Sequence, residues 1–420
     1  MTYNEALEYI HGVSNFFCKP GLERIRELCL GLGNPQNELK YIHVTGTNGK
    51  GSVCAMLDSV LRAEGYKVGL YTSPYVKEFN ERMRINGENI GNDRLAELTE
   101  RVKRVADKMT DSPTEFELIC AIAFLYFKEE GCHIVVLEVG MGGRFDATNI
   151  IDSSVLSIIT GVAIDHTAFL GNSIEQIAAE KAGIIKEKSH VLFGGTDSTA
   201  EGIIRDYSQR MQSFLYKTDY SKLKIHSFDL SKTTFDYKSR CALSISLLGS
   251  YQPGNAAIVL DAIDNLSGIG LHVSEDAIRT GLLRARWPAR FEIIKTDPTV
   301  IFDGAHNPQG IAAAVDSIKT YFGTKKVVIL TGVLRDKDYN AIASYLSEVS
   351  CEVFTITPSN PRALSAEEYA NVIGNFNVKA TPCDDLAGGL NLAIKAAKKC
   401  NTALCCLGSL YTYCEIIDLI

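Results

Sequence analysis

Residues Tyr41-Ile-His-Val-Thr-Gly-Thr-Asn-Gly-Lys-Gly-Ser52 decide how the rest of the chain is read. Tyr41 to Thr45 carries the aromatic and β-branched residues of a short strand. Gly46-Thr-Asn-Gly49 can turn sharply, because glycine meets no Cβ clash. Lys50 and Ser52 follow, Val53 to Glu64 reads as a helix that Gly65 stops, and Lys67 to Tyr71 reads as the next strand. The segment is one βαβ unit. A glycine-rich turn that opens a helix offers backbone N–H groups and the positive dipole end to an anion. A lysine there offsets polyphosphate charge, and a hydroxyl two residues on can reach Mg²⁺. The spacing departs from the common G-x-x-x-x-G-K-[ST], since Val44 stands where its first glycine would be. An ordinary strand-to-helix turn is the competing reading, and the density of glycines favours phosphate.

The chain has 420 residues, enough for two or three domains each with a full core. Hydrophobic content of 46% and charged content of 22% are ordinary for a soluble enzyme. A net charge of −7 argues against a nucleic-acid partner, because phosphate backbones attract a basic surface. None of the twelve cysteines falls in a C-x-x-C pair, and Cys54, Cys120, Cys405 and Cys406 sit inside apolar runs. They read as buried thiols of a reduced cytoplasmic protein. Met1-Thr-Tyr-Asn-Glu5 lacks the charged-then-apolar order of a signal peptide, and no apolar run reaches the roughly 18 residues of a membrane span. The expectation is a cytoplasmic protein with no membrane partner.

Helical spacing marks Tyr3 to Tyr9 and Leu22 to Leu30, with Lys19-Pro-Gly21 breaking the pattern between them. Asn86-Gly87 predicts a hairpin turn. Helices are expected over Arg94 to Lys108 and Glu115 to Glu130, and strands over His133 to Val139 and Ser154 to Thr160. Gly140-Met-Gly-Gly-Arg-Phe-Asp-Ala-Thr-Asn149 is a second glycine-rich loop. Gly46–Ser52, Ser73, Glu138 and His166 each follow the carboxyl end of an expected strand. In an open parallel α/β sheet those ends line one crevice where ligands bind. A hydroxyl, a carboxylate and an imidazole beside a phosphate loop make a plausible Mg²⁺–nucleotide site. Taken alone, His166 reads more readily as a loop histidine than as a ligand. Glu138 is the stronger signal, because so apolar a strand seldom ends in a partnerless carboxylate.

Asn172-Ser-Ile-Glu-Gln176 opens another helix, with Ser173 and Gln176 spaced as a capping box. Ile174, Ile177, Lys181 and Ile184 fall on one face, so the lysine interrupts an apolar stripe. Either its stem snorkels to water, or its charge is paired or changed inside the site. Residues 190–250 read as sheet and connections, and Gly249 to Asn255 heads a helix over Ala256 to Leu266. After Trp287-Pro-Ala-Arg-Phe291 the pattern restarts with strands at Val300–Asp303, Val327–Thr331, Val353–Thr357 and Ala403–Gly408. That predicts a second, smaller α/β domain. Asp303-Gly-Ala-His-Asn-Pro308 sits at a strand end and could face the first domain's crevice; a helix-capping turn is the competing account.

With these residues assembled, the chain resembles the folylpolyglutamate synthase family, within the Mur-ligase superfamily of ATP-dependent amide-forming ligases. The resemblance rests on Gly46–Ser52, Thr72-Ser-Pro74, Phe79-Asn-Glu-Arg82, Gly142–Asn149, Asp165-His166, Glu180–Ile185, Tyr251-Gln-Pro-Gly-Asn255, Arg290-Phe291 and Asp303–Asn307, in that order. It implies a P-loop-type ATPase domain with a mainly parallel sheet over residues 1–290, and a smaller Rossmann-like α/β domain over 291–420. It implies ATP on Gly49, Lys50, Gly51 and Ser52, with Asn255, Arg290 and Asp303. It further implies two Mg²⁺, metal ligands Ser73, Glu138 and His166, and an N-carboxylated Lys181 joining them as an anion. The folate site would map to Pro20, Gly21, Leu22, Glu23, Phe116, Glu117, Phe145, Asp146 and Ala147, an aromatic face plus carboxylates for ring N–H groups. The family usually has Ser-Pro-His-Leu where this chain has Ser73-Pro-Tyr-Val76. Tyr75 supplies no imidazole, which puts any role of that histidine in doubt.

The implied activity joins L-glutamate to the terminal carboxylate of a folate, or to dihydropteroate, in a monomer whose two domains close before chemistry. Lys50, Lys181 and His306 are the implied catalytic residues, with Asp303 and His306 orienting the glutamate. A cell-wall Mur-type ligase is the alternative enzyme, and the forty residues before Tyr41 leave little room for its nucleotide-sugar-binding domain. A P-loop switch protein, the alternative from another class, gives no reason for the Asp303/His306 loop.

Overall fold

The structure is a computed structural model that describes residues 1–13 and 21–420. Its chain packs into two units, Met1–Ser221 with Asn255–Ala285, and Lys222–Gly254 with Arg286–Ile420. The single cut expected after residue 290 differs from this. Residues 222–254 pack with the carboxyl-terminal unit, and 255–285 return to the first.

The first unit opens with α1 (Tyr3–Gly12) and α2 (Glu23–Gly31). Thr2 and Glu5 cap α1 reciprocally, satisfying N–H groups that a helix start otherwise leaves unpaired. Then β1 (Tyr41–Thr45), α3 (Lys50–Ala63) and β2 (Val68–Tyr71) realise the βαβ unit. A hairpin joins β3 (Met83–Ile85) to β4 (Glu88–Asn89). Asn86 and Gly87 at its turn have φ of 51° and 87°, the pair of positive values a type I′ turn requires. After α4 (Asn92–Ala106) and α5 (Glu115–Glu129) come β5 (Ile134–Glu138) and β6 (Leu156–Ile159). The short α6 (Thr167–Leu170), α7 (Ile174–Ala182), β7 (His190–Phe193), α8 (Ser198–Arg210) and β8 (Phe214–Lys217) complete this stretch.

The eight strands form one sheet in the order β4-β3-β2-β5-β1-β6-β7-β8. All neighbours from β2 to β8 run parallel, and only β3 and β4 are antiparallel. β1, β5 and β6 are buried along their whole length, which is why apolar residues dominate them. The α5 helix is apolar nearly all round and lies in the main core with Tyr41, Tyr71 and Leu137. The structure has α8 where sheet was expected. It buries Ala200, Ile204 and Ser208, with Ile203 and Tyr207 packed half-buried beside them, and the Asp197 cap supplies its start.

Next in the chain, β9 (Leu223–Phe228), β10 (Thr233–Tyr237) and β11 (Arg240–Ile245) form an antiparallel sheet of the second unit. The helix α9 (Gln252–Gly268) runs on into the first unit, followed there by α10 (Glu275–Arg284). The second unit then continues with β12 (Glu292–Thr296), β13 (Thr299–Asp303), α11 (Pro308–Phe322) and β14 (Val327–Thr331). It ends with α12 (Tyr339–Val349), β15 (Ser350–Thr355), α13 (Ala366–Gly374), β16 (Ala380–Pro382), α14 (Leu386–Lys399), β17 (Leu404–Leu407) and α15 (Tyr413–Leu419). Its six-stranded sheet has the order β12-β13-β17-β14-β15-β16, parallel except for β12. Among the described residues no helix is long and apolar enough to cross a membrane.

The phosphate helix α3 is braced by α10. Ser59 Oγ donates to the Gly281 carbonyl at 2.7 Å, and a Cβ added at Gly281 would lie 2.4 Å from Val60 Cα. Alanine gains about 1 kcal/mol over glycine in a helix, and forcing a group against backbone costs about 1–3 kcal/mol. The clash is expected to win, so Gly281→Ala should lower the melting temperature. A rise would show that the two helices part freely.

Candidate active site

The phosphate loop is set by β1 and its neighbour β6. Gly49, the residue before α3, has φ of 87°, a value favourable only for glycine. A Cβ there would also meet Asn255 Oδ1 at 2.7 Å, which places Asn255 directly against the loop. Thr160, just after β6, donates its hydroxyl to Asn48 O at 2.7 Å, and Thr47 N–H donates to Gly161 O at 2.9 Å. Lys50 Nζ donates to Gly46 O at 2.9 Å and Thr47 O at 3.3 Å. Ser52 is buried in the first turn of α3.

One cavity joins this loop to the second glycine-rich loop. Gly46, Thr47, Lys50, Gly140–Gly142, Asp165, His166, Leu170 and Lys181 line it. Lys181 comes from α7 with 3% exposure, and Ile177 and Ile184 beside it are fully buried, so it does not snorkel. Ile184 itself lies past the helix end. Burial first, then the Lys50 charge, pushes the Lys181 amine down to about 7, against the pull of Asp165 and Asp146. Ser173 caps α7 by accepting from Gln176 N–H, but the reciprocal bond expected of a capping box is replaced. Gln176 Oε1 accepts instead from Asn172 N–H at 2.8 Å.

Glu138 ends β5 opposite Val44 of β1, buried, and accepts from Ser73 N–H at 3.1 Å. The charges of Glu138 and Lys50 both reach Cys54 in α3. His166 stands at the start of α6 with φ of 50°, its Nε2 3.9 Å from Asp165 Oδ2. Among the described residues no three His, Cys, Asp or Glu side chains converge as a metal cluster. The Ser73 hydroxyl and the Glu138 carboxylate, which is bonded to that serine's N–H, are the oxygen donors that hard divalent cations take, and they fit Mg²⁺; the half-exposed His166 imidazole is a nitrogen donor that such ions favour less.

Around the second loop, Phe116 and Asp146 meet. A Cβ on Gly140 would lie 2.6 Å from Phe116 Cζ and 3.2 Å from Asp146 Oδ2. Ala147, Leu22 and Phe116 belong to one core cluster, and Gly21 precedes it in the chain. Glu23 is exposed at the start of α2. Phe145 is exposed under the Arg144 guanidinium, 4.9 Å from its ring centre. Glu117 is buried and accepts from Arg24 Nε at 3.0 Å and Thr114 N–H at 2.7 Å. Pro20 lies outside the described residues. Tyr75 is half-exposed, its ring 5.2 Å from the Arg82 guanidinium, which also covers Phe79.

Arg290, Asp303 and His306 lie in the second unit. Asp303 accepts from Tyr251 OH at 2.9 Å, Phe291 N–H at 2.9 Å and Ala305 N–H at 2.7 Å. Burial pushes its carboxyl up, while the Arg290 charge and these donors hold it down. His306 Nδ1 lies 2.9 Å from Gly304 O. Asp165 enters the sequence reading only as part of the Asp165-His166 motif, with no role of its own, and Arg24 carried no signal before α2 was set against α5.

Comparison with known proteins first defines the class. Residues 44–263 match the Mur ligase middle domain, and residues 289–410 match the Mur ligase glutamate ligase domain. The chain is 34% identical to the dihydrofolate synthase/folylpolyglutamate synthase of Bacillus subtilis, over 99% of this chain and 98% of that one. Among solved structures, a folylpolyglutamate synthase from Thermotoga maritima is 35% identical with a TM-score of 0.85, covering 99% of this chain and 96% of the other. E. coli FolC in complex with DHPP and ADP is 30% identical with a TM-score of 0.85, covering 100% and 97%. The chain belongs to the folylpolyglutamate synthase/dihydrofolate synthase family of Mur ligases.

The Lys181 amine titrates near 7 in the folded protein and near 10.5 when exposed. Between those values the unfolded chain holds the extra proton, so wild-type stability rises with pH. In CO2-free buffer Lys181→Met should therefore stabilise the protein most below pH 7, with the gain fading toward pH 10.5. A gain independent of pH would place that ammonium in water.

Proposed function

We propose that this protein is an ATP-dependent ligase that adds L-glutamate to the terminal carboxylate of a folate. The observation that carries the reading is the cavity in which the phosphate loop, the second glycine loop, His166 and Lys181 meet. The family membership supports it. A FolC structure that holds DHPP and ADP together supports dihydropteroate as a second acceptor, and with it a bifunctional enzyme. The described cysteines are not joined in disulfides, which suits a reduced cytoplasm, and we take the working unit to be a monomer.

A carboxylate does not accept an amine at neutral pH, because its oxygen is a poor leaving group. Transfer of the ATP γ-phosphoryl group to the folate carboxylate gives an acyl phosphate and ADP. Glutamate's amine then attacks the acyl carbon, the amide C–N bond forms, and phosphate leaves. Gly49, Gly51 and Ser52 donate N–H groups to ATP phosphates, and Lys50 turns from its own loop carbonyls to those oxygens. Asn255, Arg290 and Asp303 are the further nucleotide contacts, and His306 with Asp303 orients glutamate. Ser73, Glu138 and His166 would hold Mg²⁺, with Lys181 serving a second ion once carboxylated; the bound ions offset phosphate charge. A neutral Lys181 amine is the form that takes up CO2, and an amine near 7 supplies it at cytoplasmic pH. Gly21, Leu22, Glu23, Phe116, Glu117, Phe145, Asp146 and Ala147 border the pterin, with Pro20 completing that segment. Metal binding and most ATP contacts are assigned to residues 1–290, and the ligase domain over 291–420 adds Asp303.

Lys50→Ala should abolish ligation while leaving the fold intact; near-normal turnover at saturating ATP would remove the phosphate loop from the account. Phe116→Ala should cost about 1–3 kcal/mol, mainly in the KM of the pterin substrate. An equal rise in the KM for ATP would count against the mapped pocket.

A further inference from the structure

The phosphate strand β1 carries two polar side chains, His43 and Thr45, both fully buried on one face of an otherwise apolar strand. Both side chains reach the second glycine loop. Thr45 Oγ1 donates to Gly142 O at 2.6 Å. His43 Nε2 lies 2.9 Å from Thr148 Oγ1, and Thr148 donates that hydroxyl to Asp146 Oδ1 at 2.6 Å.

The proton positions follow from counting donors. Asp146 Oδ1 also accepts Thr148 N–H at 3.0 Å, and Oδ2 accepts Met141 N–H at 2.9 Å, with Gly140 N–H adding a further backbone bond. Burial pushes the Asp146 carboxyl up, and these four donors pull it back toward the ionised form that accepts them. Thr148 has one hydroxyl proton and gives it to Asp146, so its oxygen must accept from His43. The proton of the imidazole is therefore on Nε2, which leaves Nδ1 as an acceptor. Nδ1 is buried without a partner. An orphaned acceptor is the more tolerable fault; the opposite tautomer would bury an orphaned N–H, which native structures rarely do.

Asp146 thus has its acceptor sites filled by its own loop. Its work here is to fold residues 140–148 into one shape, which exposes Phe145 and seats Ala147 in the core. We propose that His43 is a positioning residue for the acceptor substrate, acting through a His43–Thr148–Asp146 chain that fastens the second glycine loop to the phosphate strand. The inference rests on the reading that this loop borders the pterin. One strand then sets both loops: its carboxyl end opens the phosphate turn, and its buried face holds the pterin loop in register with it.

The test uses the full-length protein with His43→Leu, His43→Gln, Thr148→Val and Thr148→Ser. His43→Leu and Thr148→Val should each raise the KM for the pterin substrate about tenfold, the usual size for losing an orienting hydrogen bond behind a functional group. The KM for ATP should stay within about twofold, and the double variant should be no worse than either single one. His43→Gln and Thr148→Ser keep a donor and a hydroxyl and should restore much of the loss. Hydrogen exchange at Met141 and Thr148 N–H should quicken in His43→Leu and Thr148→Val alone, and ¹⁵N NMR should find the His43 proton on Nε2. Exchange is read without turnover, so it tests the fastening even if no pterin is ligated, an outcome that would sink the functional reading alone. Unchanged exchange with an unchanged pterin KM, a parallel rise in both KM values, or a proton on Nδ1 would overturn the proposal.

Discussion

Two lysines share one cavity, and the burial of Lys181 beside the Lys50 charge is the constraint from which the site's chemistry follows. Lys50 is anchored to the carbonyls of its own loop, and Lys181 is held among isoleucines with no hydrogen bond to its amine among the described residues. Burial and the Lys50 charge together disfavour an ammonium on Lys181. A polyphosphate entering the loop would relieve Lys50. A carboxyl group added to Lys181 would turn the second repelling cation into an anion. Both changes run in the direction that a nucleotide and divalent cations require.

The sheet makes that cavity possible. Because β5, β1 and β6 are parallel neighbours, the residues after them emerge at one edge. Glu138, the Gly46–Ser52 turn and the Thr160–His166 segment are brought together by strand direction alone. Polar groups on the strands then do the finer work. Thr160 holds the phosphate loop from β6, Thr45 holds Gly142, and His43 reaches Thr148.

Most of this was legible because the governing signals are local. Glycine-rich turns after apolar strands give strand ends, and strand ends in a parallel sheet give the crevice. Lys181 could be singled out because a charge on an apolar stripe is a contradiction that periodicity exposes. The α8 helix was harder to read: Ala200, Ile203, Ile204 and Tyr207 fall at helical spacing, but Ser198, Thr199 and Gly202 are weak helix formers that blur its first turns. The exchange of residues 222–254 with 255–285 between units was also hidden, because packing partners far apart in sequence leave no local mark. Asp146 was readable as a carboxylate in a loop, but that its own loop's donors fill it was not. Only the fold brings Met141 N–H, Thr148 and, behind them, His43 to it.

The central claim is that a folate carboxylate is activated by phosphoryl transfer before glutamate attacks it. Labelling both oxygens of the acceptor's terminal carboxylate with ¹⁸O tests this directly. If an acyl phosphate forms, each amide bond made by this protein should deliver one ¹⁸O into the inorganic phosphate released, and release should require L-glutamate. Unlabelled phosphate accompanying amide formation, or ATP hydrolysis indifferent to both the folate and glutamate, would contradict the account.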